Sequence, residues 1–227
     1  MLSAPMQQIP LAIGPEALPT FDSFLAGPNV AVVEHLQSLA MPAAPLYLWG
    51  PAGCGKTHLL RALAHAQQLA GARVGWFDAA DAPPWTLAPD WSLVVIDRCE
   101  ALDPAAQHAA FTLFVEAAGL GVQVAAAGRL PPVDLPLRDD LRTRLGWGHV
   151  FALQALSEPE TRAALRREAD RRGIFLSDEV MNHLLTRFER DMASLVRLLD
   201  RLDHYSLARS RAITVPLLRT MLAEEGP

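Results

Sequence analysis

The chain has 227 residues, 51% of them hydrophobic and 20% charged, enough for one large domain or two unequal ones with a real core. Its formal net charge of −5 argues against a protein that grips DNA by itself, although the arginines concentrate in the last third and leave a local basic face open. No apolar run approaches the roughly 18 residues of a membrane span. There is no charged-then-apolar signal pattern at the N-terminus, and Cys54 and Cys99 do not form a disulfide framework, so the expected compartment is the cytoplasm. No internal repeat or low-complexity segment is present.

Residues 1–20 hold four prolines and few polar side chains, and read as an extended tail. A helix is expected from Phe24 to about Leu39, entered through Gly27-Pro28-Asn29, with Ala31, Val32, Leu36 and Leu39 on one face. Leu46-Tyr47-Leu48-Trp49 then reads as a buried strand, and His58 to Ala70 as a helix stopped by Gly71. Between them lies Gly50-Pro51-Ala52-Gly53-Cys54-Gly55-Lys56-Thr57, which fits G-x-x-x-x-G-K-[ST] without a mismatch. Glycines allow consecutive backbone N–H groups to turn inward on an anion and deliver phosphates to a helix N-terminus. Lys56 supplies a point charge for β and γ phosphates, and Thr57 a hydroxyl for Mg²⁺. Strand, loop and helix in this order point to a nucleotide site.

Val74–Phe77, Leu93–Ile96 and Val122–Ala126 are further apolar strands, and Pro104–Ala118 is a helix capped by Asp103. Strands alternating with helices predict an α/β fold with a parallel central sheet, its ligands at the strands' carboxyl ends. Leu93-Val94-Val95-Ile96-Asp97 is then a Walker B strand, with Asp97 placed to hold Mg²⁺ directly or through water. Hydrolysing proteins of this architecture usually carry a second acid next; here the residue is Arg98, which cannot accept a proton from water. Glu100 can substitute only if the loop turns it inward. Where a small polar side chain normally senses the γ-phosphate, the third strand leads into Ala126-Ala127-Gly128-Arg129. Slow or absent intrinsic hydrolysis is expected.

Leu141-Arg142-Thr143-Arg144-Leu145-Gly146-Trp147-Gly148 follows. An arginine at this junction can reach the nucleotide of an adjacent subunit, or can form a surface ion pair with Asp139 or Asp140. After Leu156 only helices are expected. Ser157-Glu158-Pro159-Glu160 is a capping box opening a helix that ends at Gly173. Ser177 caps a second helix with Val180, Leu184, Leu185 and Phe188 inward. Asp191 begins a third with Leu195, Leu198, Leu199, Leu202 and Tyr205 inward, and Thr214-Val215-Pro216 a fourth. The predicted division is tail 1–20, α/β nucleotide-binding domain 21–156 and all-helical lid 157–227.

These residues together resemble the DnaA branch of the AAA+ ATPases, and within it the Hda family of DnaA-homologous regulators. The likeness runs through Phe21-Asp22-Ser23-Phe24, Gly27 and Asn29, the phosphate loop, Asp97, Gly128-Arg129-Leu130-Pro131-Pro132 and the Arg142 to Gly148 segment. It implies ADP or ATP with Mg²⁺ as ligands, held by Gly50 to His58 and Asp97, with Phe21, Phe24 and Asn29 near the base. It makes Arg144 a finger acting in trans on ATP held by the DnaA initiator, so that the chain restrains replication initiation with little turnover of its own. Gln8-Ile9-Pro10-Leu11-Ala12-Ile13 resembles the peptide by which this family binds the DNA polymerase III sliding clamp, the β subunit; Gln8 would bond at a pocket rim while Ile9, Leu11 and Ile13 fill apolar pockets. DNA would be met through the clamp, and no membrane is expected. The initiator's C-terminal helix-turn-helix domain is expected to be missing beyond Pro227. In the third lid helix, Ala193 stands where an arginine normally contacts nucleotide. Self-association through the arginine face, a helicase-loader-like ATPase that binds DNA, and a nucleotide-gated adaptor without effect on hydrolysis stay open.

Overall fold

The computed structural model describes residues 18–188 and 191–225. They fall into two compact units that meet in sequence between Ala155 and Leu156. The Gln8, Ile9, Leu11 and Ile13 peptide lies outside the described residues.

In the first unit five strands form a sheet in the order β2-β3-β4-β1-β5: β1 Leu46–Trp49, β2 Arg73–Asp78, β3 Trp91–Asp97, β4 Gln123–Gly128 and β5 His149–Ala152. Every neighbouring pair is parallel. Both faces of such a sheet must be covered, and the period-two alternation of side chains assigns the strand residues to two cores. Leu46, Leu48, Leu93, Val95, Ala125 and Ala127 pack with α1 (Val30–Ser38) and α2 (Lys56–Leu69). Tyr47, Val94, Ile96, Val124 and Ala126 face the other way, against α3 (Pro104–Leu120) and α4 (Asp139–Gly146).

Two local expectations are corrected. The first helix does not begin at Phe24: Gly27, at φ 49°, and Pro28 form a 3-10 turn over Gly27–Asn29, and the α-helix starts at Val30. Its buried face is Val32, Val33 and Leu36, while Ala31 is exposed. β5 carries no apolar run of its own in the sequence. It is a four-residue, half-buried edge with none of the apolar continuity of the other strands.

The second unit consists of α5 (Glu158–Arg171), α6 (Asp178–Arg187), α7 (Met192–Arg209) and α8 (Val215–Glu225). The capping box at Ser157 and Glu160 is formed, and Ser177 and Asp191 accept the backbone N–H groups of Val180 and Ser194. Leu165, Val180, Leu184, Leu185, Leu195, Leu199, Leu202 and Leu218 build its own core. Phe188 packs only partly buried against that core, because α6 ends at Arg187 and Phe188 has already turned into extended backbone. Among the described residues no helix is long and apolar enough to cross a membrane.

Candidate functional site

The loop between β1 and α2 is held by close approaches that only glycine permits. Gly50, at φ 152°, would place a Cβ 2.3 Å from the Leu153 carbonyl oxygen. Gly55, at φ 97°, would place one 2.4 Å from the ring of Phe24. Lys56 donates from Nζ to the carbonyl oxygens of Gly50 and Pro51 at 2.8 and 2.7 Å, so the ammonium lies over the loop. Thr57 Oγ1 donates to Asp97 Oδ2 at 2.6 Å, joining the phosphate loop to the end of β3. A hydroxyl and a carboxylate side by side are oxygen donors of the kind Mg²⁺ takes. The glycine-bound loop, its lysine and this oxygen pair fit a nucleotide phosphate with its metal.

The segment before α1 closes over the start of α2. Phe21 and Phe24 pack against the core that holds α2, and the Phe24 ring lies 5.4 Å from that of His58. His58 Nε2 lies 3.0 Å from the Thr20 carbonyl and 3.2 Å from Ser23 Oγ. Burial holds the His58 pKa below its ordinary value; the Thr20 hydrogen bond works against this, and the charge of Arg61 adds to it. Asn29 is buried, and its side-chain amide is engaged at both ends by one backbone unit: Nδ2 donates to Gln154 O at 2.9 Å and Gln154 N donates to Oδ1 at 2.8 Å. It thereby ties the entry of α1 to the chain leaving β5.

At the carboxyl ends of the strands the remaining charges are wired to one another. Parallel register sets Asp78 of β2 beside Asp97 of β3. Arg98, in left-handed backbone at φ 55°, reaches sideways to Asp78 Oδ1 at 2.6 Å. Burial acts to raise the Asp78 carboxyl, yet the Ala80 N–H and the Arg98 guanidinium hold it below the usual range. Glu100 does turn inward, but onto Arg129 at the tip of β4: the Arg129 backbone N–H donates to Oε2 at 3.1 Å, and Nε lies 3.2 Å from Oε1. Ala127 is fully buried. The nearest candidates for water activation are thus one cation paired to an acid and one acid paired to a cation.

A different pattern appears on α4. Leu141 and Leu145 anchor the helix in the core. Arg138 pairs with Asp140 at 2.6 Å and Arg142 with Asp139, while Arg142 Nη1 also donates to Val133 O at 3.3 Å. The side chain of Arg144, in the last turn and partly exposed, makes no hydrogen bond or ion pair among the described residues, although the Arg144 carbonyl accepts from Trp147 N–H. Both acids that could have neutralised it are already engaged by its neighbours.

A phosphate loop after β1, an acid at the end of β3, a five-stranded parallel sheet in this order and a following helical unit define a P-loop AAA+ module. Known proteins narrow the class. The family model for the bacterial DnaA ATPase domain matches residues 16–81, and that for the Hda lid domain matches residues 158–222. Domain III of the Thermotoga maritima replication initiation protein DnaA superposes with a TM-score of 0.73 at 20% identity, over 90% of this chain and 95% of that one. AMPPCP-bound DnaA from Aquifex aeolicus gives 0.66 at 20% identity, over 82% of this chain and 65% of the other. The Thermotoga maritima RuvB Holliday junction branch migration motor gives 0.65 at 18% identity, over 91% and 72%. The chain is a Hda/DnaA-like AAA+ protein.

Two features of the site escaped the sequence. Asp78 is the partner of Arg98, and register could have revealed it, since both follow apolar runs that end at the same edge of a parallel sheet. The Glu100–Arg129 pair depends on how two loops fold back, and no spacing encodes that.

Proposed function

We propose that this protein regulates DNA replication initiation by stimulating hydrolysis of ATP held by the DnaA initiator, with Arg144 as the finger supplied in trans. The observation that carries the reading is the free guanidinium on α4, where the neighbouring Arg138 and Arg142 are both neutralised. Such a finger accelerates phosphoryl transfer by about 10³–10⁵. The DnaA-type ATPase match and the Hda lid match support a partner of the same architecture.

In this reading Gly50 to Thr57 and His58 line an ADP or ATP site, with Lys56 on the phosphates, Thr57 and Asp97 on Mg²⁺, and Phe21, Phe24 and Asn29 shaping the wall near the base. Two of the similar DnaA structures carry AMPPCP, which supports an adenine nucleotide here. The nucleotide would be structural: Arg98, buried Ala127 and the Glu100–Arg129 pair leave no free base for water. Gln8, Ile9, Leu11 and Ile13 in the tail 1–20 would dock on the polymerase III sliding clamp. That would bring the nucleotide-binding part 21–156 and the lid 157–227 to DNA in the cytoplasm.

The test is loss of labelled ATP pre-bound to DnaA, with clamp loaded on DNA, on adding this protein or its Arg144→Ala form. The expected result is hydrolysis driven by the first and not the second, and loss of clamp binding on deleting residues 1–13. Equal stimulation by both forms would remove the finger. Salt-dependent DNA binding and turnover by the isolated protein would favour the helicase-loader reading.

A further inference from the structure

Three residues past Arg144, at the end of α4, the chain holds a large apolar side chain out to solvent. Trp147 is 72% exposed and Val133 75% exposed, among the most exposed large hydrophobic side chains in the first unit. Burying a side chain as large as tryptophan ordinarily contributes several times what a methyl group does, and an outward indole forgoes that gain. Here the backbone imposes that exposure. Leu145 is buried to hold the last turn of α4. Gly148 then passes so close to Pro45 that a Cβ would lie 1.9 Å from its carbonyl oxygen, and His149 N donates to that same oxygen at 2.7 Å. On the other side Gly146 rests against Pro132, to which a Cβ would approach within 3.4 Å. Between the buried Leu145 and the clamped Gly148, Trp147 is delivered outward from a fixed pedestal. Val133 sits on the Pro132–Asp134 turn, tied through its own carbonyl to the Arg142 flank of α4 and so away from Arg144.

Residues three apart on a helix share a face, so Trp147 stands on the same side of the helix end as Arg144. We infer that Trp147 forms the apolar anchor that docks the nucleotide-bearing face of a DnaA-type AAA+ module, fixing the reach of Arg144 to that module's phosphates. This rests on the finger reading above. The occupant follows from the charge: a guanidinium without a partner among the described residues calls for an anionic partner group, and the indole beside it calls for apolar surface around that group. A rigid tryptophan next to an arginine is also the pairing most often found at the energetic centre of interfaces. Because the pedestal is built in advance, little ordering entropy is lost on docking. Arg144 is then the group that touches the reacting phosphate, and Trp147 a positioning residue.

The experiment measures stimulated hydrolysis against the concentration of this protein for wild type, Trp147→Ala, Trp147→Phe and Arg144→Ala, alongside direct binding to immobilised ATP-loaded DnaA. Trp147→Ala is expected to raise the half-saturating concentration at least tenfold with the plateau rate kept, Trp147→Phe to recover part of it, and Arg144→Ala to lose the plateau while still binding. An unchanged half-saturation for Trp147→Ala, with unfolding like wild type, overturns the inference. If wild type binds DnaA without stimulating it and Trp147→Ala does not bind, the finger reading fails while the anchor stands. If wild type does not bind DnaA, or if Trp147→Ala instead dissociates a self-associated form in sedimentation, the assigned occupant is wrong.

Discussion

The strand tips and the end of α4 lie in one unit of the molecule and treat their charges in opposite ways. At the strand tips the acids and the cations next to them are paired within the chain: Asp97 with Thr57, Asp78 with Arg98, Glu100 with Arg129. At the end of α4 the two neighbouring arginines take the acids, and Arg144 and Trp147 are left facing outward. Partly exposed pairs such as Arg98–Asp78 contribute about 0–1 kcal/mol to stability, so stability is a weak reason for this wiring. On the proposed function, this wiring removes a base from the chain's own nucleotide while leaving a cation for a partner's. A protein that hydrolysed its own ATP through these groups would show the reverse.

The largest effect that breaks this comparison is loss of the outward finger in Arg144→Ala, up to the full 10³–10⁵ or so in stimulated rate. A second substitution works on the strand tips. Asp97→Asn keeps an oxygen for the Thr57 hydrogen bond and removes the charge, so folding is retained while Mg²⁺ loses its anionic donor. The enhancement of nucleotide affinity by Mg²⁺, followed by fluorescent-nucleotide titration, should fall at least about tenfold, since one lost charge-assisted interaction is worth about 1.5–3 kcal/mol. Nucleotide binding with the same Mg²⁺ dependence in Asp97→Asn would place the metal elsewhere.

Gly148→Ala sharpens the other side. Its Cβ has no room against Pro45, and main-chain atoms on both sides cannot yield as a flexible side chain would. Overpacking of this kind costs about 1–3 kcal/mol, to be read as a lowered urea midpoint. The same change should shift α4's last turn, so docking should weaken more than the loss of folded protein accounts for. Wild-type stability and wild-type docking together in Gly148→Ala would mean that the pedestal is softer than its contacts imply.

How much of this was legible beforehand depended on whether local pattern or long-range closure decided the outcome. The phosphate loop, Asp97, the parallel sheet and the four lid helices were legible because each is written in adjacent residues: a glycine spacing, an apolar run, a cap followed by a stripe. The entry of α1 was misplaced because Gly27 and Pro28 satisfy a helix-start pattern while their backbone builds a 3-10 turn. β5 was hidden because an edge strand buries only half its side chains and so lacks the apolar run. Asn29 could be named from resemblance, but its bidentate hold on Gln154 joins residues 125 positions apart. The same holds for Trp147, whose exposure depends on Pro45 meeting Gly148 beside it.

The smallest predicted effect asks whether the closed character of the nucleotide end extends to its neutral contacts. His58 joins Thr20 and Ser23 to the start of α2 and is held neutral chiefly by burial, so its folded pKa lies below the unfolded value of 6.5. The unfolded chain therefore binds the proton first. The stability that His58 contributes is complete above pH 6.5 and is lost as the pH falls from there toward the folded pKa. His35 and His183 are lowered as well, by burial and by neighbouring His149 or Arg219 and Arg187, so every variant should lose stability on acidification. The informative quantity is the difference: between pH 7 and pH 5, His58→Gln should lose less than wild type in parallel urea titrations. Identical losses would mean that the imidazole is solvated in the folded protein, and that the segment carrying Phe21 and Phe24 is not held down by His58.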